Sequence, residues 1–496
     1  MLAWDAGDGS SEMKTSALIA LFLSAFMTQT LIAAPPNFIV IFIDDMGWED
    51  LGCFGSKSIR TPNIDRIAAE GMRFTHFYAQ PICGPSRAAL MTGSQPMRVA
   101  EKGNVKNVHP VLHTKEITIA EVLRPRGYAS SCIGKWDLAG HSQTSFQPEL
   151  LPTHQGFDEY FGTPTSNDSY VDLYRNEKRI EEKAGMGSLT QRYTDEAIDF
   201  IRRHRERPFF VYLPHTMVHT KLAASPEFAG RSQRGLYGDA VEEIDHHTGR
   251  LMDYVRESGL ADSTWAIFTS DNGPWLIKNQ GFRDGELPAD HGGSAGPLRS
   301  GKVSTWEGGQ RVPCIAWAPG RVPAGTTCDK LASTVDVLPT LAALSGAEAP
   351  ADRVLDGENI THLLEGRFAE ANPDKVYRYY LLTHLQAIRQ GPWKLHLARP
   401  LHPAWLGPHA KNQHIDPRDD IGMETPQLYH LLDDPGETTD VAAEHPDVVK
   451  HLLNEADKAR QDIGDHDRVG DNMRFFDPMK ERPKTPPTAF AQRKRR

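Results

Sequence analysis

The chain has 496 residues, 39% of them hydrophobic and 24% charged, with a formal net charge of −10. That length exceeds one simple core and suits a large domain with a smaller companion. The acidic balance argues against general nucleic-acid binding, and it obliges any anionic substrate to be met by a locally basic pocket.

In chain order, Met13-Lys14-Thr15-Ser16 reads as a charged n-region, residues 17–27 as an apolar h-region, and Leu31-Ile32-Ala33-Ala34 as a small-residue cleavage site. The apolar run is too short to span a membrane. A signal peptide over 1–34 is therefore expected, with 1–12 an extension ahead of a start at Met13. The protein is then exported, periplasmic or secreted, with no stable membrane span after cleavage. An uncleaved N-terminal anchor is the alternative. Five cysteines are present. Setting Cys83 aside, Cys53, Cys132, Cys314 and Cys328 could pair in an oxidising compartment, in any of three connectivities.

Residues 38–43 form a continuous β-branched and aromatic run, the pattern of a strand buried on both faces in a parallel sheet. Asp44-Asp45 follows at its C-terminal end, where ligand sites gather in open α/β sheets. Two adjacent carboxylates there repel unless a cation lies between them; the alternative is a turn-initiating Asp pair. Residues 61–71 read as a capped helix ending in Gly71, and 74–78 as a short strand. Helix is expected over 117–123, 191–205 and 335–344, and strand over 129–133, 208–213, 265–269 and 314–317. Polar residues stand at strand C-termini: Asp44, Asp45, Lys135, His219, Asp271 and Asn272. Alternating strands and helices predict an α/β fold, a large mostly parallel sheet sandwiched by helices.

After about residue 370 the texture changes. Short strands at 376–382, 386–389, 393–397 and 428–432 precede a helix over 446–461, a smaller α+β subdomain with an antiparallel sheet. The expected division is a catalytic domain over 35–370, this subdomain over 371–465 and a basic tail over 466–496. Residues 400–426 form a long Pro- and His-containing loop, either a lid or a surface insertion.

One stretch organises the rest: Cys83-Gly84-Pro85-Ser86-Arg87-Ala88-Ala89-Leu90-Met91-Thr92-Gly93. Pro85 suits a first helical turn and Gly93 a C-terminal stop. Cys83 then sits at the positive end of the helix dipole, which favours an anion. Arg87, one turn along, can fold a planar donor fork toward the same anion. A buried Cys ahead of an ordinary helix is the alternative.

Cys83-x-Pro85-Ser86-Arg87 with Thr92-Gly93 resembles the signature of type I, formylglycine-dependent sulfatases of the alkaline phosphatase superfamily. The likeness extends to Asp44-Asp45, Gly134-Lys135-Trp136, Asp271-Asn272-Gly273, Lys302 within residues 301–309, and Leu428-Tyr429 with residues 434–438. It covers roughly residues 36 to 465 in consistent order. The resemblance implies that a separate maturation enzyme oxidises Cys83 to formylglycine (3-oxoalanine). The hydrated aldehyde then attacks sulfur, expels the alcohol and eliminates sulfate from a covalent sulfo-enzyme. A plain Ser ester would have no such exit.

Asp44, Asp45, Asp271 and Asn272 form an all-oxygen ligand set for a hard cation, Ca²⁺ with Mg²⁺ the alternative. Arg87, Lys135 and Lys302 match the positions that surround the sulfate. His219 matches the general acid for the leaving alcohol, with His215 its competitor. Where the family often continues with Pro, this chain has Lys221, placed to meet an anionic part of the substrate.

One departure stands out: the family usually reads Gly-Lys-Trp-His, and here Asp137 replaces the His. Asp137 can accept a hydrogen bond from the diol or act as a base, but cannot donate while ionised. His141, four residues on, could take up the role. An exported sulfatase meets sulfated polysaccharides and oligosaccharides, and aromatic and cationic loop residues suit sugar faces and anionic groups. Trp275, His291, Arg283, His154, Asp168 and Trp405 stand in such loops. The competing readings are a small-molecule arylsulfatase, a phosphoester hydrolase of the same superfamily, and an inactive homologue that binds sulfated glycans.

Overall fold

The computed structural model describes residues 1–4, 35–99, 111–276, 292–399 and 423–474. The chain divides into two units, Met1–Pro35 and Pro36–Arg496. Among the described residues, every strand and helix belongs to the second unit. The expected signal features at 13–34, most of the loop at 400–426, and the tail beyond 474 lie outside the described residues. Among the described residues no helix is long and apolar enough to cross a membrane.

The sheet is built on β1 (Asn37–Ile43), every residue of which is buried. It pairs in parallel with β7 (Phe209–Pro214) on one side and β8 (Thr264–Ser270) on the other. Beyond β7 come β3 (Ala129–Lys135) and β4 (Glu159–Thr163), both parallel. An antiparallel arm, β5 (Val171–Arg175) and β6 (Lys178–Ala184), closes that edge. Beyond β8 lie β9 (Arg311–Trp317), β2 (Met72–Tyr78) and β10 (Thr326–Cys328). A short β11 (Ala332–Ser333) also pairs with β2. β9 runs antiparallel to both of its neighbours, which sets the one reversal within an otherwise parallel centre.

Side chains alternate along β1, so its two faces fill two cores. Phe38, Val40 and Phe42 join Ala88, Leu90 and Met91 of α2 (Cys83–Thr92). Ile39, Ile41 and Ile43 face the opposite layer. That layer holds α1 (Pro62–Glu70), α3 (Leu189–His204) and α4 (Gly235–Glu257). The 317–347 stretch returns to the α2 side as α5 (Val337–Ser345). The expected mostly parallel α/β sheet between helices is the observed one.

The C-terminal sheet is antiparallel, in the order β12 (Val376–Leu381), β13 (His384–Gln390), β14 (Trp393–His396), β15 (Gln427–His430). α6 (Pro446–Asp462) packs Leu452, Ala456 and Ala459 onto its Leu385, Ile388, Leu395 and Leu428.

None of the possible cysteine connectivities is formed: all five thiols are free. For one pair register explains this, since Cys314 and Cys328 flank Phe74 from opposite sides of β2. Two strand spacings separate them, about 10 Å, beyond the reach of a disulfide.

Candidate active site

The parallel register brings four strand ends to one edge. Ile43 lies opposite Ser270, and Phe42 lies opposite Pro214. Asp44 and Asp45, Asp271 and Asn272, and Lys135 therefore arrive together from β1, β8 and β3. Gly134 makes the arrival of Lys135 feasible. It has φ +132°, and a Cβ there would stand 1.9 Å from the Pro214 carbonyl oxygen. Asp45 and Asp137 hold positive φ of 62° and 55°, and Val303 beside Lys302 holds 68°. Such conformations cost of order 1–3 kcal/mol each and persist where the surroundings dictate them.

α2 enters this edge from the side. All ten of its residues are buried, and it stops at Gly93, whose N–H donates to Ala89 O with φ 64°. Arg87 is fully buried and spans the edge. Its Nη1 donates to the Lys135 carbonyl at 2.8 Å, and its Nη2 donates to Asp271 Oδ2 at 2.8 Å. Asp44 Oδ2 lies 3.3 Å from that same nitrogen. Cys83 Sγ and carboxylate oxygens of Asp44 and Asp271 all lie within 4.8 Å of one another. Burial pushes the Cys83 thiol well up, so as a thiol it stays protonated.

Lys135 Nζ donates to Asp44 Oδ2 at 2.6 Å, and Lys302 Nζ donates to Asp45 Oδ1 at 2.6 Å. Asn272 Nδ2 reaches the same Asp45 oxygen at 2.7 Å, and the Asp45 N–H donates to Asp271 Oδ1 at 3.1 Å. Yet three buried oxygens of this set have no hydrogen-bond partner: Asp44 Oδ1, Asp45 Oδ2 and Asn272 Oδ1. Burial would raise the Asp44 carboxyl, but Lys135, then His219, Arg87 and Lys302, hold it far below its usual range. Asp271 goes the other way. Burial and the neighbouring Asp44 push it to about 8. Three adjacent buried carboxylates repel one another. The unmet oxygens and that repulsion both fit a hard divalent cation held by Asp44, Asp45, Asp271 and Asn272.

His219 flanks the set, with Nε2 3.9 Å from Asp45 Oδ2 and 3.6 Å from Asp168 Oδ1. Its Nδ1 contacts the Thr220 carbonyl. Burial and Lys302 lower its proton affinity. On the other flank, Asp137 Oδ2 is buried without a hydrogen-bond partner, 3.7 Å from Lys135 Nζ. Asp137 Oδ1 is held by His141 Nδ1 at 2.9 Å, and His141 Nε2 meets Asp168 Oδ2 at 3.0 Å. Atoms of Cys83, Asp137 and His141 lie within 4.8 Å of one another. Burial would lower the His141 pKa, but Asp137 and Asp168 raise it to about 10, so the ring is charged at neutral pH.

The other expected contacts divide. Trp275 is half-buried under Lys302, whose Nζ lies 5.6 Å from the ring centroid. Lys221 is exposed. His215 is turned toward the helix layer, its ring 6.2 Å from Tyr193, and burial and His247 lower its pKa to about 3. His154 pairs with Glu177 at 3.3 Å, near the β5–β6 arm. His291, Arg283 and Trp405 lie outside the described residues. Sequence reasoning missed Leu381 and Leu382, which pack with Ile82 and Cys83 from the β12–β13 turn. An apolar strand end in a separate subdomain carries no signal of that contact. It also missed the clasp of His141 by Asp137 and Asp168, although Asp137 and His141 at i, i+4 gave a hint.

A family model described as Sulfatase matches residues 36–347, and one described as the C-terminal region of aryl-sulfatase matches 372–487. The chain is 37% identical over 463 residues to N-acetylgalactosamine-6-sulfatase of Sus scrofa, covering 85% of this chain and 84% of that protein. It is 35% identical over 468 residues to human arylsulfatase A, covering 85% and 87%. Among solved structures, a Bacteroides thetaiotaomicron protein described with the metabolism of multiple glycosaminoglycans superposes with a TM-score of 0.73 at 28% identity. That match covers 86% of this chain and all of the other.

Proposed function

Since this chain belongs to the sulfatase family and is a sulfuric ester hydrolase, we propose that it removes sulfate from an extracellular sulfated polysaccharide or oligosaccharide. The observation that carries the site is the approach of Cys83 Sγ to the Asp44 and Asp271 carboxylates, all within 4.8 Å, inside a Cys-x-Pro-x-Arg segment. On this reading a maturation enzyme converts Cys83 to formylglycine. One hydroxyl of its hydrate would take the sulfuryl group as the ester S–O bond breaks and the alcohol leaves, and deprotonation of the second hydroxyl would then expel sulfate and restore the aldehyde. Asp44, Asp45, Asp271 and Asn272 would hold Ca²⁺, or Mg²⁺, which would supply Lewis-acid polarisation of a sulfate oxygen.

The chain's own residues do the rest. Arg87, Lys135 and Lys302 bring fixed positive charge into a dry pocket, where it stabilises developing negative charge without reorganisation. His219 Nδ1–H donates to the Thr220 carbonyl, so Nε2 is the atom that faces the departing alcohol, and it gives a proton there when the ring is doubly protonated. Asp137 presents its unpaired Oδ2 to the group at position 83 as a proton acceptor. Leu381 and Leu382 exclude water from that group's far side. Trp275 and Lys221 belong to the sugar-binding rim, and His291 is proposed as a further substrate contact from the sequence alone. His215, packed toward α3, supports the strand end from below.

We read residues 1–34 as a signal peptide of an exported protein, 35–370 as the catalytic domain, 371–465 as the C-terminal subdomain and 466–496 as a tail. The test of the reaction is sulfate against phosphate release from matched esters, with mass spectrometry of the Cys83 peptide after co-expression with a maturation enzyme. Sulfate release with a converted Cys83 is expected. Phosphate release alone, or an unmodified thiol in active protein, overturns the reading.

A further inference from the structure

Four cations and five carboxylates surround the reacting centre: Arg87, Lys135, Lys302 and His141 against Asp44, Asp45, Asp271, Asp137 and Asp168. Three of the carboxylates belong to the cation set, and Asp137 faces position 83. Asp168 is left over. A carboxylate at the mouth of a sulfate pocket repels the substrate unless it has a use there.

Its setting is built rather than incidental. Asp168 lies in the loop between β4 and β5, and that loop is strapped to both histidine segments. The Ser166 N–H donates to the His141 carbonyl at 3.4 Å, and Asn167 Nδ2 donates to the His219 carbonyl at 3.4 Å. Asp168 Oδ2 is taken by His141 at 3.0 Å. Oδ1 stands 3.6 Å from His219 Nε2, too long for a hydrogen bond, and 54% of the side chain is open to solvent. One oxygen is thus clamped, and the other is free to accept at the edge where the leaving alcohol must sit.

Resting on the sulfatase reading above, we propose that Asp168 is a specificity-determining residue that accepts a hydrogen bond from a free hydroxyl on the carbon next to the sulfated one. The leaving oxygen must lie at His219 Nε2, and a neighbouring hydroxyl lies one carbon further, within reach of Asp168 Oδ1. An ionised carboxylate accepts and cannot donate. It therefore favours a neighbouring hydroxyl and disfavours a neighbouring second sulfate or carboxylate. His141 acts through Asp168 as a positioning residue.

The test compares three esters on wild type, Asp168→Asn and Asp168→Ala. These are a sugar monosulfate with the neighbouring hydroxyl free, the same sugar sulfated at both positions, and 4-methylumbelliferyl sulfate, which has no neighbouring hydroxyl. Asp168→Ala should lower kcat/KM on the monosulfate about tenfold or more, the scale of one charged hydrogen bond. It should change the umbelliferyl ester less than about threefold and shrink the preference over the disulfate. In a second arm, Cys83→Ala protein should bind the monosulfate more weakly when Asp168→Ala is added. An equal fall on the sugar and umbelliferyl esters means that Asp168 only anchors His141, and overturns the proposal. If wild type releases no sulfate from any ester, the sulfatase reading fails, and the binding arm still decides Asp168.

Discussion

Among the described residues, two of the clusters of buried charge are finished to different degrees. Beneath the C-terminal sheet, Lys394 bridges Glu307 at 3.0 Å and Glu437 at 2.9 Å, all three fully buried. Glu307 also accepts from Tyr78 at 2.5 Å and Tyr379 at 2.8 Å. Glu437 accepts from the Glu307 N–H and contacts His396, both at 2.7 Å. Every carboxylate oxygen in this cluster is used. At the strand ends, the carboxylates are as deeply buried, but Asp44 Oδ1, Asp45 Oδ2 and Asp137 Oδ2 have no hydrogen-bond partner. Burial of charge therefore does not mark a functional site here; several unmet carboxylate oxygens gathered in one place do. The closed cluster fastens the C-terminal sheet to the large one, and the open cluster keeps the oxygens that the proposed cation would take.

The sharpest break of that contrast is Cys83→Ala. Turnover should fall by on the order of a thousandfold or more, as when a covalent nucleophile is removed, with the thermal transition close to wild type. Unfolding of this variant would instead make Cys83 a core residue. Next come paired lysine replacements. Lys302→Met in the open cluster should cost about a hundredfold in kcat with little loss of Tm. Lys394→Met in the closed cluster should cost about 3–5 kcal/mol of stability by stranding Glu307 and Glu437. Its turnover per folded molecule should stay near wild type. Denaturant melts and rates on the same preparations separate the two, and a swap of these outcomes would dissolve the contrast.

The smallest effect is with pH. The folded pKa of His141 is raised from 6.5 to about 10. Its ion pairs therefore stabilise the fold fully below about 6.5, and that contribution is lost progressively as pH rises to about 10. The Tm difference between wild type and His141→Gln, followed across that range, should narrow toward alkaline pH. A difference that is constant or widens contradicts the charged clasp.

Much of the fold and site is legible in the sequence, for physical reasons that differ by residue. The run at 38–43 could only be a doubly buried strand, and the Asp pair behind it then had to meet whatever ended the neighbouring strands. The α4 helix is harder to read, although Val241, Ile244, Leu251 and Val255 carry a helical period. Its two internal glycines weaken the signal, and one has a tertiary cause: a Cβ at Gly249 would stand 2.5 Å from Asn63. The β6 strand is mostly exposed, so it lacks the apolar run that announces a strand. The Asp168 contact joins loops after two different strands, and local pattern does not encode which loops meet.

The most direct measurement is the thermal transition of metal-free protein titrated with Ca²⁺, beside Asp45→Asn. Wild type should gain stability in a saturable way, about 2.7 kcal/mol at a hundredfold excess over Kd, while Asp45→Asn should respond far less at the same concentrations. A wild type indifferent to Ca²⁺ and Mg²⁺, or a variant that gains as much as wild type, would contradict a cation site at the open cluster.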